Sequence, residues 1–278
     1  MLECELTMHD AALDLKGKTA VVTGSSSGIG RAIALEFARA GAVVMVHAGH
    51  DQEAAQDVCA QINQLSGRSH IVVADLSTHD QQDHFVEQAW TWADGEIDVW
   101  VNNAGVDVLT GESENWSFEE KLAKLLAVDV TATMRISRAV GQRMKQQCGL
   151  DDHQGPTKTI DKTIINIGWD QAEWGMAGDS GEMFAATKGA VMAFSRSLAQ
   201  TLAPEVRVNC LAPGWIRTRW AESATEVWQQ RACRESLLSR WGTPEDVARA
   251  AHFLASPAGA FVTGQVIQVN GGARRSEE

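Results

Sequence analysis

The chain has 278 residues, 44% of them hydrophobic, and a formal net charge of -12. That length supports a substantial core without disulfides or metals, and the acidic balance disfavours nucleic acid or an anionic membrane as partners, since both are polyanions. No apolar run approaches the roughly 18 residues of a membrane span, and the five scattered cysteines, with no CxxC spacing, read as reduced thiols of a cytoplasmic protein.

The opening MLECELTMHDAALDLKGK carries acids and no apolar stretch, unlike a signal peptide. Short, nearly continuous apolar runs then recur as expected strands: Thr19–Thr23, Val43–His47, His70–Val73, Val99–Val101, Thr163–Ile167, Val206–Leu211 and Val266–Val269. Such runs mark strands covered on both faces. Helix-like segments separate them. Ile29, Ile33 and Phe37 recur every four residues before Gly41 closes the helix, and Glu53–Leu65 and Gln82–Trp92 follow the same period. Gly149–Lys162 is polar and turn-rich, a surface excursion, and Arg217–Trp241 is helical in character after a Pro-Gly turn. The alternation predicts a doubly wound α/β fold, with a parallel sheet of about seven strands and helices on both faces. No linker divides the chain, so 1–278 reads as one domain with its core at 14–272 and frayed ends.

Between the first strand and first helix stands Thr23-Gly24-Ser25-Ser26-Ser27-Gly28-Ile29-Gly30. Glycines in such a turn let backbone approach a pyrophosphate, and the helix N-terminus offers free N–H groups to phosphate oxygens. Further along come Asp75-Leu76, the NNAG of Asn102–Gly105, Lys188 within FAATK, the Pro213-Gly214 turn with Thr218 beyond it, and TGQVIQVNGG at Thr263–Gly272. In these ordered motifs, from about Leu15 to Gly272, the chain resembles the short-chain dehydrogenase/reductase family, in particular its 3-oxoacyl-acyl-carrier-protein reductase-like members. The resemblance implies a nicotinamide cofactor and a small-molecule substrate. Gly24, Ser26, Ser27, Gly28, Ile29 and Gly30 would hold the diphosphate. Asp75 and Leu76 would meet adenine, and Asn103, Ala104 and Gly105 would line the cofactor. Lys188 would hold the nicotinamide ribose, and Pro213, Gly214, Ile216 and Thr218 would frame the nicotinamide. It also implies a homotetramer or homodimer with the helices carrying Asp129 and Lys188 at an interface, and a mobile substrate lid at 217–241.

An acid that would bind a ribose 2′-hydroxyl, and so favour NAD, is absent at the end of the second strand, where Ala48 stands. Asp51 reads instead as a helix cap. NADP is the expected cofactor, with NAD possible, and Ser27 and His50 are the groups near a 2′-phosphate.

The family's proton donor is a tyrosine four residues before the lysine; the chain holds Phe184 there, and no tyrosine anywhere among its residues, although it has ten tryptophans. The family's serine falls on Gln171 by strict spacing, or on Gly168 or Trp169 by strand alignment, and its asparagine falls on Asp129. Only Lys188 keeps its type. Two linked donors are worth about 10²–10⁴ and 10²–10³ in rate. Asp170 or Glu182, with Asp129 behind, are candidate replacements; the competing reading is that they solvate and cap a surface loop, with Asp179 and Ser180 as helix caps. Trp169 and Trp174 could stack a flat substrate or simply be buried. Arg217, Arg219, Trp220, Glu222 and Arg231 give the lid a mixed character. The expected function is carbonyl/alcohol hydride transfer with non-standard acid–base residues. The rival readings are a dinucleotide-binding sensor or structural partner without turnover, and a lyase or isomerase using the same pocket. No histidine or cysteine spacing suggests a metal site.

Overall fold

A computed structural model describes residues 13–65, 67–148 and 162–274. The excursion expected at Gly149–Lys162 lies outside the described residues except for Lys162, as do both chain ends. Seven strands form one parallel sheet: β1 (Thr19–Val22), β2 (Val43–Ala48), β3 (Ser69–Val73), β4 (Val99–Asn102), β5 (Lys162–Ile167), β6 (Val206–Pro213) and β7 (Val266–Val269). Their order is β3-β2-β1-β4-β5-β6-β7, with every neighbour parallel. The expected doubly wound sheet is therefore observed, and each expected strand is present to within two residues at its ends.

Strand side chains alternate between two cores, which is why the runs lack a polar face. Val22, Val44, Val46, Val101 and Leu211 pack under α1 (Gly28–Arg39), α2 (Gln52–Gln64) and the late helix Pro244–Ala255. Val21, Met45, Trp100, Ile164 and Val208 face the other way. They meet α3 (His79–Trp92) and two longer helical segments. The first segment is a continuous run made of α4 (Phe118–Leu125), a π-helical turn at Leu126–Ala132 and α5 (Thr133–Cys148). The second is α6 (Asp179–Leu202). Asp51 caps α2 by accepting from the Ala54 N–H at 3.0 Å, as its position suggested.

The sheet order reverses between β1 and β4, and this opens a crevice at their carboxyl ends, where ligands bind in such sheets. A buried polar ladder fixes the crevice floor. Asn102 donates to Ser137 and to Asn166, each at 2.8 Å, and Asn166 donates to Ser195 at 2.9 Å. These bonds tie β4 and β5 to α5 and α6, so the helix bearing Lys188 is locked to the sheet. The segment after β6 forms α7 (Arg219–Ser223) and α8 (Glu226–Glu235), and Pro244–Ala255 is α9.

Candidate active site

The glycine turn is built against β4. Asn103 donates through Nδ2 to the carbonyls of Thr23 and Gly24, both at 3.0 Å. The Thr23 hydroxyl accepts from the N–H groups of Asn103 and Ala104 at 2.9 Å. A β-carbon on Gly30 would lie 2.3 Å from the Gly24 carbonyl oxygen and 2.4 Å from Asn103 Nδ2, so only glycine fits. Gly30→Ala is expected to destabilise the protein by about 1–3 kcal/mol. It should also blunt any thermal shift given by dinucleotides, as differential scanning fluorimetry would show.

The turn fits a dinucleotide. Ser27 precedes α1 without giving it a side-chain cap, which leaves the first N–H groups of the helix for a ligand. Gly28 has φ +55°, and a β-carbon there would meet only the Thr218 methyl at 3.8 Å, on the side where a diphosphate would lie. Ser26 is half-buried and Ser27 exposed beside it.

His47, which sequence reasoning passed over, underpins this turn. Its Nδ1 accepts from the Gly24 N–H at 2.9 Å, and its Nε2 lies 2.9 Å from the Ala74 carbonyl. The ring is therefore neutral, with its proton on Nε2, and burial pushes its pKa down to about 4. One side chain thus joins the glycine turn to the residue before Asp75. The only sequence signal was a histidine inside an apolar strand.

Asp75 is exposed, and its carboxylate accepts from the N–H and hydroxyl of Ser77, which hold its pKa below the ordinary value. The Leu76 side chain is buried in the core. Ala48, at the end of β2, is fully buried, while His50 is exposed.

The crevice continues into a cavity of about 480 Å³. Its walls include Ile29, Asn103, Lys188, Pro213, Gly214, Ile216 and Thr218. Lys188 donates to Asp129 Oδ2 at 2.8 Å, with side chains 14% and 3% exposed. Its Nζ also lies 3.5 Å from the Ile167 carbonyl. Asp129 Oδ1 accepts from the Val106 N–H at 3.0 Å, and a β-carbon on Gly105 would crowd Oδ2 at 2.9 Å. Asp129 sits within the π turn and is buried there. Nothing in LAVDVTA announced it.

The other proposed acids lie elsewhere. Glu182 is exposed on α6 and does not line the cavity. Asp170 also stays off the cavity wall; it is buried, and its Oδ2 accepts from Asn270 at 3.0 Å while Oδ1 has no partner. Burial raises its pKa to about 6, with the Asn270 bond opposing and Glu235 adding to the rise. Gly178, not Asp179 or Ser180, precedes α6, so neither of those residues is its cap; Ser180 instead reaches the cavity. Trp174 is 57% exposed, whereas Trp169 lines the cavity and meets Phe184 edge-on, with ring centroids 6.1 Å apart. Toward the cavity, the stretch 215–241 is less mixed than its composition suggested. Trp215, Trp220, Trp228 and Trp241 face the cavity, while Arg217 and Arg219 are exposed. Cys210, beneath Gly168, is buried, and that burial pushes its thiol pKa up to about 12.

Residues 24–274 match the family described as enoyl-(acyl carrier protein) reductase. The chain is 34% identical to 3-oxoacyl-[acyl-carrier-protein] reductase of Aquifex aeolicus, over 94% of this chain and 98% of the relative. Among solved structures it is similar to 7α-hydroxysteroid dehydrogenase complexed with NADH and a 7-oxo bile acid. That likeness has a TM-score of 0.82 at 29% identity and covers 97% of this chain and 99% of the other. It also resembles a candidate NAD(P)-dependent gluconate 5-dehydrogenase from Beutenbergia cavernae holding NADP at low occupancy, with TM-score 0.79 at 34% identity, covering 94% and 98%. The match along nearly the whole length, the sheet order and the glycine turn lead to one conclusion: the chain belongs to the short-chain dehydrogenase/reductase family.

Proposed function

We propose that the protein is an NAD(P)-dependent oxidoreductase that interconverts a carbonyl and an alcohol, with Lys188 as proton donor and Asp129 as its positioning partner. The observation that carries this reading is that Lys188 is the one titratable side chain among the described residues lining the cavity. Phe184, one helical turn before it, stands where the family places tyrosine, and Trp169 stands at one of the aligned serine positions. Neither ring carries a hydroxyl. Asp170 and Glu182, outside the cavity, are weaker candidates for proton transfer.

When bound, the nicotinamide supplies or accepts the hydride. In the reductive direction the carbonyl oxygen gains negative charge as its carbon gains hydride. The Lys188 ammonium stabilises that charge and gives the oxygen one proton, and the neutral amine recovers a proton from water. Asp129 holds the ammonium in place and offsets its burial, and the aromatic walls exclude water. The oxidative direction reverses each step.

We favour NADP over NAD because Ala48 supplies no carboxylate to a ribose 2′-hydroxyl, while exposed Ser27 and His50 stand nearby. A homodimer or homotetramer fits the exposed apolar side chains of Leu126 and Phe253. A cytoplasmic location fits the five scattered cysteines, which show no CxxC spacing. The segment 217–241 would act as the substrate lid. The experiment is thermal unfolding with NADPH, NADP⁺, NADH and NAD⁺, followed by reduced-nicotinamide absorbance with a panel of ketones. A dinucleotide at about 100 times its dissociation constant should stabilise the protein by about 2.7 kcal/mol, most strongly for the NADP pair. No shift with any of the four removes the oxidoreductase reading. A shift without turnover of any ketone favours the binding-protein reading.

A further inference from the structure

The far side of the cavity is aromatic. Trp215 stacks on Trp220 at 6.0 Å and 24°, Trp228 lies 5.5 Å from Trp215, and Trp241 closes against both Trp215 and Trp220 at 6.0 and 6.2 Å. Trp169 and Phe184 form the facing wall.

Polar bonds outside the cavity brace this wall. Trp215 donates its indole N–H to Glu235 at 2.8 Å, and Trp241 donates to the Gln229 carbonyl at 3.3 Å. Those two rings thus spend their donors on the protein and offer the cavity their hydrocarbon surface. Arg231 also bonds Glu235, at 2.6 Å, and its guanidinium stands 4.9 Å from the Trp228 ring and 5.7 Å from the Trp215 ring.

The charges decide what such a wall accepts. An aromatic cage can hold a cation, but the Arg231 guanidinium already stands over Trp215 and Trp228. An anion finds Lys188 paired with Asp129 and no other cationic group on the wall. What remains favourable is a flat, uncharged π surface stacked between indoles, with one oxygen directed at Lys188.

We infer that the substrate is a neutral, planar aromatic or polycyclic ketone, or the matching alcohol, recognised by the tryptophans of the lid. This rests on the oxidoreductase reading for its chemistry, yet binding can be measured without turnover. The probe is fluorenone, titrated against the intrinsic tryptophan fluorescence of the full chain in the presence of NADP⁺. The comparison ligands are a fluorenone carboxylate, benzyltrimethylammonium and a linear ketone of fluorenone's carbon number.

Saturable quenching by fluorenone, with affinity at least about tenfold above all three comparison ligands, is expected. Trp228→Leu and Trp220→Leu, each checked for native thermal unfolding, should weaken fluorenone by about tenfold. Equal or tighter binding of the linear ketone or of either charged ligand overturns the assignment, as does fluorenone affinity unchanged in both folded variants. The wild-type comparison stands even if a variant fails to fold. Dinucleotide-induced thermal shifts do not involve fluorenone, so their presence without ketone discrimination sinks the substrate class alone. Their absence sinks the parent reading.

Discussion

Lys188→Met is expected to lower turnover of any ketone the protein reduces by about 10²–10⁴-fold, the usual worth of a positioned general acid. The same change should destabilise the fold by about 3–5 kcal/mol, because it leaves Asp129 buried without its counter-charge. Asp129 is only 3% exposed, while Lys188, at 14%, retains some access to water. Asp129→Leu should therefore cost less stability than Lys188→Met. The double variant Asp129→Leu/Lys188→Met should regain most of the loss, since an apolar pair replaces two linked charges. Urea unfolding of the four proteins closes the cycle. Additive losses in the double variant would show that the 2.8 Å contact carries no coupling. Undiminished turnover in Lys188→Met would refute its role as the acid.

A second large effect concerns acid. His47 has its pKa lowered from 6.5 to about 4 in the folded protein, so between those values the unfolded chain binds more protons. Its stabilising contribution is complete above about pH 6.5 and falls by about 3 kcal/mol as pH drops towards 4. Asp170 acts in the opposite sense. Its pKa is raised from 3.8 to about 6, so the folded state binds the extra proton and stability rises by about 3 kcal/mol as pH falls through the same window. The two contributions nearly cancel in the native protein. Single variants should uncouple them. Asp170→Asn is expected to lose stability steeply as pH falls from 6.5 to 4, and His47→Gln to gain it. Urea midpoints across that range test both signs, and parallel curves for all three proteins would refute the assignment. In the folded protein His47 gains its proton only as pH falls through about 4, so loss of the acceptor for the Gly24 N–H should weaken dinucleotide affinity there and not between pH 6.5 and 5.

The fold was largely legible from the chain. Runs such as VVMVH and TIINI have no polar face because helices cover both sides of the sheet, and that pattern is local. Strand ends were less legible: β2 extends to Ala48 and β6 to Pro213, since an end is set by where the neighbouring strand offers its last hydrogen bond. The glycine turn could be read because its spacing encodes a backbone path. The lid could not. Its arginines and tryptophans alternate without a clear period, and only the tertiary structure turns Trp220, Trp228 and Trp241 toward the cavity and leaves Arg217 and Arg219 exposed.

The sequence by itself determined the strand–helix alternation, the glycine turn, the absence of tyrosine and the identity of Lys188, because each is a property of residue type and short-range order. Only the tertiary structure decided that Asp129 meets Lys188 while Asp170 and Glu182 stay off the cavity, that His47 is a neutral strut, and that Trp215, Trp220, Trp228 and Trp241 form one wall. The physical reason is common to all three. They depend on burial and on contacts between segments far apart in the chain, and neither leaves a periodic mark in the sequence.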